Sequence, residues 1–177
     1  MTTESDIRFT TSGRDFGLLV LRFAVGAAIL QAGLLKAFDF QMVVDNMEQS
    51  GWRMPQLAAF MVTAAETLGG VGLLLGIVTP LAAMAVIAAM IDAWAVNVSG
   101  AAFWSAPFNL PFMIGLGAVA LLFTGAGVYS IDERLWGRAT WPRLVSVTLL
   151  VAAIAAAVVT WVALNGTNPI HFTSPAA

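Results

Sequence analysis

The chain of 177 residues is 59% hydrophobic and only 10% charged, with a mean hydropathy of +0.86, whereas soluble globular domains carry about 25% charge. These values exclude a soluble globular protein and place the chain in a lipid bilayer. With no cysteine, one histidine (His171, in the C-terminal tail) and a net charge of −2, the sequence offers no disulfide, no thiol exchange, no bis-histidine haem site, no zinc or iron–sulfur ligand set and no nucleic-acid surface.

A membrane-crossing helix takes about 20 mostly apolar residues, and five segments qualify, at 16–37, 57–78, 80–98, 109–127 and 144–164. The predicted fold is therefore an all-α membrane protein, a four-helix transmembrane bundle with a fifth C-terminal transmembrane helix. Residues 1–15 form a polar tail ahead of the first span, which is long for a signal-peptide core and contains Arg22, so it is retained as a span. At 100° per residue Lys36 lies about 40° from Arg22, with Gly26 and Gly33 between them, so one face of this span holds two cations and two glycines. Gln31 falls on the opposite face.

Between spans one and two, residues 38–56, "FDFQMVVDNMEQSGWRMPQ", alternate apolar Met42, Val43, Val44 and Met47 with Asp39, Asp45 and Glu48. This pattern predicts a short amphipathic helix on the membrane surface, with Pro55 opening the next span.

The second span contains "TAAETLGG", residues 63–70. A carboxylate at the centre of a membrane helix costs about 2.5–3.5 kcal/mol, so Glu66 is expected to face inward and to be paired. Thr63, Glu66, Gly70 and Leu73 share its face, and Gly72 with Gly76 forms a GxxxG on a neighbouring one. Small faces of this kind let membrane helices approach closely. The uncharged "IVTP" connection makes spans two and three an antiparallel hairpin. On the third span Asp92 shares a face with Ala85, Ala88, Ala89, Val96 and Ser99, again suited to helix contact.

In "SGAAFWSAPFN" Phe103, Trp104 and Phe108 are expected at headgroup depth. After the fourth span, "YSIDERLWGR" carries a capping box, Ser130 with Glu133. Asp132 and Glu133 stand at the positive end of that helix's dipole and read as caps. Residues 134–143 form an interfacial segment, 144–164 the fifth span and 165–177 a tail on the far side. The six tryptophans, at 52, 94, 104, 136, 141 and 161, fall near span ends and read as interface anchors.

Orientation follows the cations. Arg8, Arg14, Arg134, Arg138 and Arg143 lie on one side, Lys36 and Arg53 on the other, so the N-terminus is expected in the cytoplasm and the C-terminus outside. Counting about 1.5 Å per residue, Glu66 and Asp92 both lie about 18 Å from the inner boundary, Arg22 about 9 Å and Lys36 about 30 Å. Arg22, Lys36, Glu66 and Asp92 are thus the candidate intramembrane polar cluster. Glu66 can pair with Arg22 and Asp92 with Lys36, the crossed arrangement is equally open, and the two carboxylates can also adjoin each other. Gly26, Gly33, Gly70, Gly72 and Gly76 are the candidate helix-packing positions. The cluster serves either to fix helix register or to form a pocket for a polar head group or a proton relay.

"LRFAVGAAILQAGLLKAF", "AAETLGGVGLLLGIVTP" and "GAGVYSID" together resemble the DoxX family in the order and spacing of their polar landmarks. The resemblance covers residues 16–133, and Arg22, Gly33, Lys36, Glu66, Gly70, Gly76, Ser130 and Asp132 occupy the family's positions. Gln31 stands where the family often has histidine. What the resemblance implies is a bacterial inner-membrane subunit linked to redox or sulfur metabolism, similar to the small membrane subunit of thiosulfate:quinone oxidoreductase. The expected role is that of a subunit in a quinone-linked assembly, with no cofactor of its own encoded and a quinone as ligand. The alternatives are an accessory subunit docking onto a respiratory or other membrane complex, and a small proton-coupled transporter.

Overall fold

The computed structural model describes residues 4–173, with side chains from residue 13 onward. Residues 1–3 of the N-terminal tail and 174–177 of the C-terminal tail lie outside the described residues, as does the Arg8 side chain.

Seven α-helices follow one another: α1 Glu4–Phe38, α2 Phe40–Gln49, α3 Pro55–Leu75, α4 Thr79–Ser99, α5 Leu110–Thr124, α6 Ile131–Trp136 and α7 Arg143–Thr160. A π-helical turn, Trp161–Asn165, continues α7. Four stretches are long and apolar enough to cross a membrane, Gly13–Phe38, Pro55–Leu75, Thr79–Ser99 and Arg143–Asn165. The chain is a multi-pass membrane protein. The α1 helix runs back to Glu4, so the segment expected as a polar tail is helical wherever it is described.

The apolar segment expected at 109–127 is α5, a fifth and shorter apolar helix that runs between the two ends of the bundle. Asn109 caps α5 by accepting from the Phe112 amide at 3.2 Å, and Gly125 ends it with φ of 78°, a conformation favouring glycine. Fifteen residues rise about 22 Å. The expected amphipathic segment contains α2, whose Asp39 cap accepts from the Met42 amide at 3.4 Å. It turns Val43 and Val44 onto Ala59 of α3.

The most extensive contact is between α1 and α3. A Cβ at Gly70 would lie 2.6 Å from the Leu30 amide nitrogen, and one at Gly26 would lie 2.9 Å from that of Leu74. Gly33 meets the Thr67 backbone in the same way. On the other side of α3, Gly69 and Gly72 seat Val86 and Ala82 of α4. The main core joins Val25, Ile29, Leu73, Val86, Leu121 and Leu122.

One end of the bundle, the α6 face, holds the α3–α4 turn and the α5–α6 loop. The other, the α2 face, holds α2, the α4–α5 loop and the described part of the C-terminal tail, which folds back over the bundle. There Arg53 donates its amide to the Leu164 carbonyl at 2.8 Å and Phe103 donates to that of His171 at 2.9 Å. Trp52 and Trp161, read from sequence as interface anchors, are buried against each other, ring centroids 5.7 Å apart and nearly perpendicular. The tail covers this end and removes both rings from the headgroup layer.

Candidate functional site: a polar cleft on the fourth helix

The four intramembrane ionisable residues separate into two places. Arg22 is buried near the α6 face. Its Nε donates to the Leu73 carbonyl at 3.0 Å and Nη2 to that of Leu74 at 2.9 Å, while Nη1 donates to the Ala126 and Tyr129 carbonyls at 2.8 and 2.9 Å. These are the orphan carbonyls at the end of α3 and those of the non-helical 125–130 segment. Such backbone is tolerated at membrane depth only when protein satisfies it. The guanidinium is therefore committed to backbone, and the pairing of Arg22 with Glu66 or Asp92 considered above does not occur.

Asp132, fully buried, accepts from the Val78 and Thr79 amides at 2.6 and 3.0 Å and from the Trp141 indole at 3.3 Å. It caps α4 across the bundle, holding Val78 at φ of 46°, which a β-branched residue rarely adopts. It also stands in the first turn of its own short helix, as expected, so the cap on α4 is a second role that the sequence did not show. Ser130 does cap α6, accepting from the Glu133 amide at 3.2 Å. The α3–α4 turn beneath it needs Gly76, which has φ of 63° and packs against Ser130 and the Arg22 guanidinium.

The other three ionisable residues line one cavity of about 340 Å³ between α3, α4 and α7. Lys36, last turn of α1, donates to Glu66 Oε2 at 2.6 Å; the Glu66 side chain is 3% exposed and that of Lys36 29%. Of the three arrangements open in the sequence, α1 and α3 thus realise the Glu66–Lys36 half of the crossed one. Among the described residues Asp92 gains no ion pair, and its buried Oδ1 makes no hydrogen bond. Its alanine neighbours Ala85, Ala88 and Ala89, expected to seat a helix, line the cavity floor, with Ala89 also buried in the main core and Ala88 packed against it.

Three contributions were missed in the sequence reading. Trp52 lines the cavity 7% exposed, and its indole N–H makes no hydrogen bond among the described residues. Its position at a span end pointed to lipid, and only the Trp52–Trp161 contact reverses that. Ala156 and Thr160 of α7 complete the wall; Thr160 is one of two threonines in an alanine-rich span, Thr148 being the other, and nothing in the sequence set it apart. The site thus offers two donors, the Lys36 ammonium and the Trp52 N–H, and an unpartnered acceptor on Asp92, within a mostly apolar lining. Few polar groups in an apolar concavity is the usual composition of a small-molecule site.

Residues 17–100 match the model of the DoxX family. The chain carries a DoxX domain. No curated protein and no solved structure matches the chain. The DoxX match spans most of α1 and all of α2–α4, so Lys36, Trp52, Glu66 and Asp92 lie inside it, whereas Ala156 and Thr160 lie beyond it. It also stops short of the resemblance read to residue 133, leaving α5, α6 and the cap residue Asp132 outside.

Proposed function

We propose that this DoxX-domain protein is a bacterial inner-membrane subunit of a quinone-linked redox assembly, with its N-terminus in the cytoplasm, and that the cleft on α4 holds a quinone head group. The observation that carries this reading is that two polar groups without a partner among the described residues, the Trp52 N–H and Asp92 Oδ1, stand with the Lys36–Glu66 pair in the lining of one mostly apolar cavity. A quinone presents two carbonyl acceptors, suited to the Trp52 N–H and the Lys36 ammonium, and its reduced form presents hydroxyl donors, suited to Asp92 Oδ1. The apolar lining suits the ring. Electrons come from a partner protein or a diffusible carrier.

The test uses the full chain in lipid nanodiscs titrated with a benzoquinone bearing a ten-carbon tail. Saturable binding is expected, weakened about tenfold by Trp52→Phe, which keeps the ring and removes a donor worth about 1 kcal/mol or more, and weakened also by Glu66→Gln. Absence of saturable binding, or wild-type affinity in both variants, overturns the reading.

A second reading, an accessory subunit docking onto a larger membrane complex, is favoured by Gln31. This residue is exposed on α1 within the span and makes no hydrogen bond within the described protein. Polar side chains inside membrane helices are used as interhelical contacts. Gln31→Leu is expected to release a co-purifying partner in gentle detergent while leaving quinone binding intact; an unchanged co-purification profile counts against it.

A further inference from the structure

The cleft's outline says where a ligand enters. α3 and α7 both pack extensively on α4 but have no comparable contact with each other. They flank α4 on either side, and its small residues between them form a floor that no further helix covers. Towards the α6 face the gap closes, because Gly69 and Gly72 of α3 bring α4 into close contact at Val86 and Ala82. Towards the α2 face it is roofed by Trp52 and by Met47 of α2.

That roof is pinned. Arg53, next to Trp52, donates its amide to the Leu164 carbonyl at 2.8 Å, and Trp161 donates its indole N–H to the Thr167 carbonyl at 2.8 Å. Trp161 opens the π-helical turn directly after Thr160, and the wider turn changes the direction of the side chains that follow. Here Trp161 meets Trp52 edge to face. The cleft is therefore bounded at both ends of the bundle.

Its sides are different. Met61 on α3 and Val96 on α4 are each 39% exposed, and Ala156 on α7 is exposed as well, yet all three line the cavity. They lie on helices that cross the membrane, so what faces them there is hydrocarbon. A volume of about 340 Å³ is at the small end of ligand pockets, enough for a ring-sized head group and too little for a long chain attached to it.

We propose that the cleft takes its ligand sideways from the bilayer, through the gap between α3 and α7 with Ala156 as the threshold, and that the ligand is an amphiphile whose head sits inside while its tail remains in lipid. The identity of the head group rests on the quinone reading above; the lateral route does not. The threshold is built by α7, outside the DoxX match, and α7 is the wall that turns an exposed face of α4 into a two-sided slot.

The experiment has two arms on the full chain. The absence of native cysteine allows single spin labels at Ala88→Cys on the floor and Ala156→Cys on the threshold, in phospholipid vesicles. Both labels are expected to relax with molecular oxygen, which partitions into hydrocarbon, and not with a water-soluble nickel chelate. A floor label reached by the chelate, or reached by neither, overturns lateral entry whether or not a quinone binds. In the second arm Ala156→Phe fills the threshold. Affinity for the ten-carbon-tailed benzoquinone is expected to fall at least tenfold, while affinity for the same head group without a tail changes less than twofold. Equal losses, or none, overturn the threshold. If the wild type binds neither probe while the floor label responds to oxygen alone, the quinone reading fails and the lateral route stands.

Discussion

Glu66 shows why a buried carboxylate is not by itself a stabilising feature. The pair with Lys36 offsets the cost of removing the charge from water, and the single hydrogen bond of 2.6 Å leaves the carboxylate dependent on one partner. Lys36→Met is therefore expected to destabilise the protein by about 3–5 kcal/mol, because it strands a buried charge, whereas Lys36→Met combined with Glu66→Met is expected to be near neutral. Equilibrium unfolding of the full chain in mixed micelles measures both. Equal destabilisation of the single and double variants would mean that packing of the Lys36 stem, and not the charge, holds this corner. The depth of Glu66 and Asp92 was legible in the sequence by counting residues from the span ends. Their partners were not, because counting gives height along a helix and leaves its rotation against neighbours free. Arg22 stands within side-chain reach of Glu66 and Asp92 by that count, yet the unsatisfied carbonyls of Leu73, Leu74, Ala126 and Tyr129 claim four of its five donors.

Among the elements, the α1–α3 pair sets the geometry on which Lys36 and Glu66 depend. Lipid tails are as apolar as leucine, so the contact gains little from hydrophobic burial and rests on close approach. Gly70 is one of the tightest points, since an added Cβ would meet the Leu30 amide nitrogen, Cα and Cβ within 2.6–2.8 Å, and backbone cannot move aside as a flexible side chain can. Gly70→Ala is expected to force the helices apart and to lower stability by about 1–3 kcal/mol, the range for overpacking. Gly115→Ala on α5, where the new Cβ would meet Met90 Cβ at an ordinary 3.4 Å, is the control and is expected to be neutral or slightly stabilising through helix propensity. Thermal unfolding of the two variants in the same detergent distinguishes them; similar midpoints would show that α1 and α3 can slide. The packing face of α3 was readable from Gly70 beside Glu66. The use of the alanine face of α4 was not, because small residues suit a helix contact and an open cleft equally, and what separates the two is whether another helix arrives. α7 arrives beside that face, not on it.

For the molecule as a whole, the α6 face is held by buried polar anchors and the α2 face by aromatic packing and a folded-back tail. At the α6 face Arg22 satisfies the non-helical 125–130 backbone, and Asp132 ties α6 to the start of α4. Both are interactions between segments more than 50 residues apart, beyond the reach of local patterns such as the capping box that correctly placed α6 itself. This division of labour gives the charge asymmetry a structural reading. Arg134, Arg138 and Arg143 stand at the α6 face, while at the α2 face Lys36 is paired with Glu66 and Arg53 is engaged with the Leu164 and Ala163 carbonyls. Cations of the kind that hold a loop in the cytoplasm, Arg138 stacked over Trp141 among them, are thus concentrated at the α6 face, which is expected to be the cytoplasmic one. Single cysteines at Gln49 on α2 and Leu135 on α6, both exposed, check it in intact cells with a membrane-impermeant maleimide. Gln49→Cys is expected to react directly and Leu135→Cys only after permeabilisation. The reverse pattern would place the slot's roofed, head-group end in the cytoplasmic leaflet, so that a partner supplying electrons would meet it from inside the cell.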